Sequence, residues 1–339
     1  MKNINILLTS VGGHLTEPLV SNFYKYSLKE NINIKIFGID NKDNLDIKNY
    51  IEYFEKSPLG SEKNYSSYIE KFCLRYQINI IIPRSDEEAI KISRLKKNGK
   101  LKKIEIFVSK YKHLLDINNK ISTYRYLDNT VFKFDNWYVC NNRKSLLINL
   151  KKFLSYTQTC VIKPADSRGG RGILFISKTP KQNEKYISYK KFKQSSIKAI
   201  SNYPIIIMEE LKKKIIDIDV FCDQGNLINM LVRERIFPMH PNAGNIILNP
   251  NKFYSAIKDL VRTFNLDGIH DFDVMYDNKN NLKVIEINPR MSGSFAIATE
   301  ADDVFIVNIF RKYLNKPFKK SNIRKFNFKL VPKINLIKN

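Results

Sequence analysis

The chain has 339 residues, 43% of them hydrophobic, and a formal net charge of +25. That length supports two or three lobes, and no apolar run approaches the roughly 20 residues needed to cross a bilayer. Four widely spread cysteines, Cys73, Cys140, Cys160 and Cys222, show neither metal-ligand spacing nor a disulfide framework, which predicts a reducing, cytoplasmic setting. The basic balance raises nucleic acid as a partner. The lysines, however, are scattered beside Asn and Ile, without a recognition helix, zinc spacing or aromatic RNA motif, so nucleic acid is not expected as the main partner.

In chain order, residues 4–8 form a buried-strand run. Gly12, Gly13 and His14 then turn the chain into a helix starting near Thr16. The turn lacks the spaced third glycine of a dinucleotide site and reads as structural. Residues 34–40 are a second strand and residues 78–83 a third, leading into Ser85, Asp86, Glu87 and Glu88, a helix N-terminus. Strand–helix alternation predicts a parallel α/β sheet. Arg84, Ser85 and Asp86 stand at a strand's carboxyl end.

Further along, a short strand delivers Lys163 and Pro164. A loop with Ser167, Gly169, Gly170 and Gly172 follows, and a second strand begins at Ile173. Glycines let backbone N–H groups approach phosphate oxygens. No helix follows, so the segment reads as a strand–loop–strand flap. Residues 181–201 are polar and Lys-rich. Residues 204–208 form a strand ending in Glu209, Glu210 and Leu211. Arg233 and Arg235 alternate on a strand over 230–236. One of them is expected to meet a phosphate or a substrate carboxylate, with Arg235 preferred. The alternative is a solvated strand face.

The strand over 268–275 places Asp271 and Asp273 on one face, a turn over 277–281 follows, and residues 284–288 form its hairpin partner. There Glu286 and Asn288 share a face, Pro289 ends the ladder and Arg290 follows. Paired carboxylates repel unless a cation or proton neutralises them. A hard divalent ion takes carboxylate and amide oxygens, and phosphate takes a guanidinium. The pair of strands therefore reads as a Mg–nucleotide site, with Asp271 open to the alternative of a surface Asp bridged to Lys. The basic and aromatic stretch over 316–329 reads as a solvated final strand in which Phe326, Phe328 and Leu330 alternate, with contact to an anionic membrane surface as the alternative.

These residues resemble the ATP-grasp superfamily, in its carbamoyl-phosphate-synthetase-like branch. The match runs over about residues 110–315: Lys163-Pro164 with Ser167-x-Gly169-Gly170-x-Gly172, then Met208-Glu209-Glu210-Leu211, Asp273, and Glu286-Ile287-Asn288-Pro289-Arg290. The resemblance implies an N-terminal parallel α/β domain over 1–110 and a two-lobed α+β ATP-grasp domain over 111–315. Within the latter, a flap lobe spans about 125–207 and a metal-site lobe about 208–315, with a basic C-terminal extension over 316–339. The two lobes would grip ATP. Lys120 and Lys163 resemble the nucleotide lysines, and Ser167, Gly169, Gly170 and Gly172 the phosphate flap. Glu209, Glu210 and Leu211 resemble the linker that reads adenine. Asp273, Glu286 and Asn288 resemble the ligands of Mg²⁺, for which Mn²⁺ could substitute. Arg290 resembles the phosphate-facing arginine, beside Arg235 and Lys163 in the catalytic set. The resemblance also implies a substrate role for Arg84, Ser85 and Asp86, with His14 a weaker candidate. Ile215 stands about where relatives carry the ribose acid. Either that contact moves along to Asp217, or the segment shifts register. The expected activity is an ATP-dependent ligase joining a small carboxylate to an amine through an acyl phosphate. The alternative is a phosphotransferase on an amide, amine or hydroxyl acceptor. A homodimer is open.

Overall fold

A computed structural model describes residues 2–43, 46–166, 172–195, 203–211 and 214–333. Its first sheet is formed by β1 (Lys2–Thr9), β2 (Ile32–Asp40), β3 (Tyr53–Lys56), β4 (Ile80–Ile82) and β5 (Glu105–Ile106), in the order β3-β2-β1-β4-β5 with all pairs parallel. Helices α1 (Thr16–Ser27), α2 (Tyr65–Arg75) and α3 (Asp86–Lys97) connect these strands. Near-continuous Ile and Leu runs in β1 and β4 follow from burial on both faces, and Ile6 stands level with Ile36 on one side and Ile80 on the other. α1 turns Leu19, Val20, Phe23 and Tyr26 inward at helical spacing. α4 (Tyr111–Asn118) and α5 (Lys120–Leu127) follow.

The second sheet contains β6 (Trp137–Cys140), β7 (Thr159–Pro164), β8 (Leu174–Ser177), β9 (Tyr186–Ser188) and β10 (Ile205–Glu209), ordered β6-β10-β7-β8-β9. α6 (Arg143–Tyr156) begins with a capping box between Asn142 and Ser145 and buries Leu146, Leu150, Phe153 and Leu154 against this sheet. α7 (Tyr189–Gln194) adds Phe192.

The third sheet is ordered β15-β14-β11-β12-β13-β16. Its strands are β11 (Ile215–Asp223), β12 (Asn226–Arg235), β13 (Asn245–Leu248), β14 (Gly268–Tyr276), β15 (Leu282–Asn288) and β16 (Phe328–Leu330), with α8 (Asn251–Thr263), α9 (Phe295–Ala301) and α10 (Val304–Tyr313). Gln224 and Gly225 both take positive φ, 48° and 79°, the turn that matches the twist of the β11–β12 hairpin. The final strand pairs through Phe328 with Ile247.

By packing the chain divides into two compact units that cut across the linear segments 1–110, 111–315 and 316–339. Unit 1 is Met1–Ile117, Lys214–Val274 and Ile287–Asn339, and unit 2 is Asn118–Lys213 and Met275–Glu286. One apolar cluster runs through unit 1, from Ile4, Ile6 and Leu8 to Leu231, Ile247 and Phe305. Among the described residues no helix is long and apolar enough to cross a membrane.

Candidate active site

In unit 1, β11 alternates Ile216, Ile218 and Val220 with Asp217 and Asp219, and β12 sets Arg233 opposite Asp217. Arg235 donates from Nε to both Asp217 oxygens at 3.0 Å and from Nη2 to Asp217 Oδ1 at 2.5 Å. The same Nη2 donates to Asp273 Oδ1 at 2.9 Å. Ligand atoms of Asp217, Asp271 and Asp273 all lie within 4.8 Å of one another. Asp271 is 4% exposed. Its Oδ2 accepts from Asn288 Nδ2 at 3.1 Å and has Arg290 Nη1 at 4.0 Å, whereas its Oδ1 has no hydrogen-bond partner among the described residues. Burial, and then the neighbouring Asp273, Asp219 and Asp217 charges, push its carboxyl well above the ordinary range against the pull of Arg290. Burial also acts to raise Asp217, but Arg233 and Arg235 outweigh it and lower that carboxyl. The surface Asp–Lys alternative for Asp271 is thereby excluded. Asp217, one of the two alternatives for the ribose contact, stands among the acids bound by Arg235.

Arg233 is a correction. It is neither a solvated strand residue nor a substrate group. It is fully buried, and its guanidinium donates to Asp219 Oδ2 at 2.7 Å, Asn245 Oδ1 at 3.0 Å, Ser294 Oγ at 2.9 Å and Ser292 Oγ at 3.1 Å. Ser292 also donates to Asp219 at 2.7 Å. Such a saturated buried pair is an internal clamp, because no donor is left for a ligand. It ties β11 and β12 to the loop after Arg290. Period-2 alternation put Arg233 and Arg235 on one face, but it carries no information on depth.

Arg290 pairs through Nε with Asp86 at 3.1 Å and donates to the Met291 carbonyl at 2.8 Å. Asp86 is the first residue of α3, capped by Ser85, whose Oγ accepts from Glu88 N at 3.4 Å. Glu88 Oε2 collects the hydroxyls of Thr9, Ser10 and Ser85 at 2.6, 2.7 and 2.9 Å. Burial raises its carboxyl despite these donors. It fastens the ends of β1 and β4, a role that a helix N-terminus signal does not reveal. Arg84 donates to Thr16 Oγ1 at 2.7 Å. His14 is exposed.

In unit 2, Lys163 lies at the end of β7, 3% exposed, with Nζ 2.5 Å from Tyr124 Oη and 5.0 Å from the ring centroid. Tyr124 Oη donates to the Ile285 carbonyl at 2.9 Å. Burial, then the Glu286 charge, keeps that phenol well above its ordinary range, so it stays neutral. Lys120 opens α5 behind the Asn119 cap and meets Glu286 Oε1 at 2.8 Å. The linker side chains differ. Glu210 accepts from Tyr186 Oη at 2.7 Å and from Lys185 Nζ at 3.3 Å. Burial acts to raise Glu210, but Tyr186, Thr159 and Lys185 outweigh it and lower the carboxyl. Glu209 is raised by burial. Leu211 is half-buried. Gly172 adopts φ 75°, a conformation that favours glycine. Ser167, Gly169 and Gly170 lie outside the described residues.

A family model described as ATP-grasp in the biosynthetic pathway with Ter operon matches residues 201–332. That segment is similar to the ATP-grasp family, and the fold of the chain is shared with the solved structures that follow. An uncharacterised protein of Methanocaldococcus jannaschii is 28% identical over 187 residues, 54% of this chain, and the match spans only 43% of that protein's length. Among solved structures, the biotin carboxylase domain of Hydrogenobacter thermophilus 2-oxoglutarate carboxylase, a dimer complexed with MgADP, ADP and bicarbonate, superposes with a TM-score of 0.70 at 14% identity. The superposition covers 96% of this chain and 73% of that one. An L-amino acid ligase from Bacillus licheniformis superposes with a TM-score of 0.64 at 12% identity, covering 94% and 76%.

Proposed function

We propose that the chain is an ATP-dependent ligase that joins a carboxylate substrate to an amine through an acyl phosphate. The observation that carries this reading is the group Asp217, Asp271 and Asp273, with one arginine bound across it and one buried oxygen, Asp271 Oδ1, without a donor among the described residues. Three carboxylates gathered so closely fit a hard divalent cation, Mg²⁺ or Mn²⁺. Asp273, Glu286 and Asn288 are the proposed ligands, and Asp271 and Asp217 complete the oxygen set. The cation, when bound, would offset phosphate charge.

The chain's own residues supply the rest. Lys163 and Lys120 bind phosphate oxygens of ATP. The Lys120–Glu286 pair keeps that ammonium fixed until nucleotide arrives. The backbone of Glu209–Leu211 receives the base. Arg235 and Arg290 neutralise the phosphoryl group as it leaves ADP. The substrate carboxylate oxygen bonds to the γ-phosphorus and the bond to ADP breaks. The amine then bonds to the acyl carbon, loses a proton, and phosphate leaves. No side-chain nucleophile is required. The MgADP and bicarbonate bound by the carboxylase, and the ligase name of the Bacillus protein, support the same reading. Four unpaired, buried cysteines support a reducing compartment.

The test is oxygen transfer with a carboxylate labelled with ¹⁸O. One label is expected in released phosphate, because that oxygen bridges carbon and phosphorus. Unlabelled phosphate beside amide product would exclude the acyl-phosphate route. A stable phosphorylated product without amide would mark a phosphotransferase instead.

A further inference from the structure

Arg84 is a half-buried cation that pairs with no carboxylate among the described residues. Its backbone N–H donates to Thr9 Oγ1 at 3.0 Å, and its guanidinium makes one hydrogen bond, to the neutral Thr16 hydroxyl at 2.7 Å. Among the described residues no carboxylate lies within 4.0 Å of it. The nearby acids are committed elsewhere. Glu88 holds the three hydroxyls described above, and Asp40 accepts the N–H groups of Gly12 at 2.8 Å and Lys42 at 2.9 Å. A buried or half-buried charge is ordinarily paired, and a guanidinium offers five donors in a planar fork. Burial pushes Arg84 down to about 10, with Glu88 acting against it and Arg290 adding to it, so it is still charged near neutrality beside a second guanidinium.

The place in the fold points the same way. In the order β3-β2-β1-β4-β5 the chain builds outward from β1 through β2 and β3, then crosses back to add β4 and β5 on the other side, so the sheet's switch point lies between β1 and β4. Ligands of open parallel sheets bind outside the carboxyl ends of the strands at that point. Thr9 and Arg84 stand there, and α1 starts beside them with an N-cap, Leu15, that has no side-chain cap. A Cβ on Gly13 would stand 3.5 Å from Arg84 Nη2 and 3.6 Å from Thr16 Oγ1, so the bare glycine leaves this fork uncovered.

We propose that Arg84, oriented by Thr16 and uncovered by Gly13, binds an anionic group of the substrate other than ATP, a carboxylate or a phosphate. This rests on the ligase reading and narrows its substrate class to anions recognised at the edge of the first sheet.

The test uses the full chain at saturating Mg–ADP, titrated calorimetrically with inorganic phosphate and, separately, with succinate. At least one anion is expected to bind, and Arg84→Gln should weaken it about tenfold or more while leaving Mg–ADP affinity unchanged. Stronger binding of phosphate than of succinate assigns the group as a phosphate, and the reverse order as a carboxylate. Equal anion affinity in Arg84→Gln and the parent, or no binding of either anion by the parent, overturns the inference. If Arg84→Gln does not fold, Arg84→Lys keeps the charge but loses the fork, and should weaken binding roughly threefold or more. Unchanged affinity there overturns it equally. Failure of the parent to bind Mg–ADP would sink the ligase reading instead, and the same titrations without nucleotide would still decide Arg84.

Discussion

Arg233 and Arg235 are two residues apart on one strand face, yet one is sealed inside a clamp and the other reaches the acids. The difference is what surrounds each guanidinium, four acceptors in one case and two carboxylates at a half-buried edge in the other. Glu286 lies among the residues proposed to handle phosphate. Glu286→Gln preserves a hydrogen bond to Lys120 but removes the charge. It should cut phosphate release by about two orders of magnitude or more with unchanged circular dichroism. Normal turnover with Mg–ATP would show the site to be misplaced. Glu30 tests electrostatics away from that site. Burial acts to raise its carboxyl, but Lys319 and Arg311 outweigh it and hold it below the usual range, with Arg311 at 2.9 Å and Lys319 at 3.0 Å. A depressed folded-state pKa stabilises the fold fully above the unfolded value of about 4.3, and that share disappears as pH falls through the lower folded value. Glu30→Gln should therefore cost about 2 kcal/mol at neutral pH and flatten acid denaturation below about pH 4. An acid-unfolding curve identical to the parent's would contradict this.

At the scale of elements, β14 begins with Gly268 at φ 84°. A Cβ there would lie 2.3 Å from the Phe107 carbonyl carbon and 2.5 Å from Val108 N. Both atoms are backbone and cannot swing aside. Gly268→Ala should thus destabilise by at least about 2 kcal/mol, read from urea midpoints. A loss under half that would mean that the strand entry shifts freely. α5 is held at its start by Asn119 Oδ1, which accepts from Ile121 N at 3.0 Å and Ser122 N at 3.2 Å. Because Lys120 is the first residue of that helix, Asn119→Ala should cost about 1 kcal/mol and weaken nucleotide binding several-fold. Unaltered nucleotide affinity in a destabilised variant would separate the cap from the lysine's role.

Across the molecule, unit 1 closes its core with residues far apart in sequence. Phe318, Ile323, Phe326, Phe328 and Leu330 pack on the cluster that begins with Ile4, and Asn327 N donates to the Ile247 carbonyl at 2.6 Å. The basic C-terminal segment is therefore part of a folded unit. A chain ending after Asn315 should melt about 5 °C or more below one ending after Lys333. Equal melting temperatures would assign that segment no share in the core.

Much of the architecture was legible from local pattern. Ile-rich runs marked β1, β2 and β4, strand–helix alternation marked the parallel sheet, and two-residue spacing set Asp271 with Asp273, and Glu286 with Asn288, on shared strand faces. Period-2 alternation tells which side chains share a face, because backbone geometry fixes it. It does not tell which strands become neighbours or how deep they lie. The approach of Asp217 to Asp271 and Asp273, the sealing of Arg233, the Lys120–Glu286 pair and the gathering of the Thr9 and Ser10 hydroxyls on Glu88 each join segments at least 12 residues apart, most of them far more. Those meetings depend on sheet order and packing, and only the tertiary structure decided them.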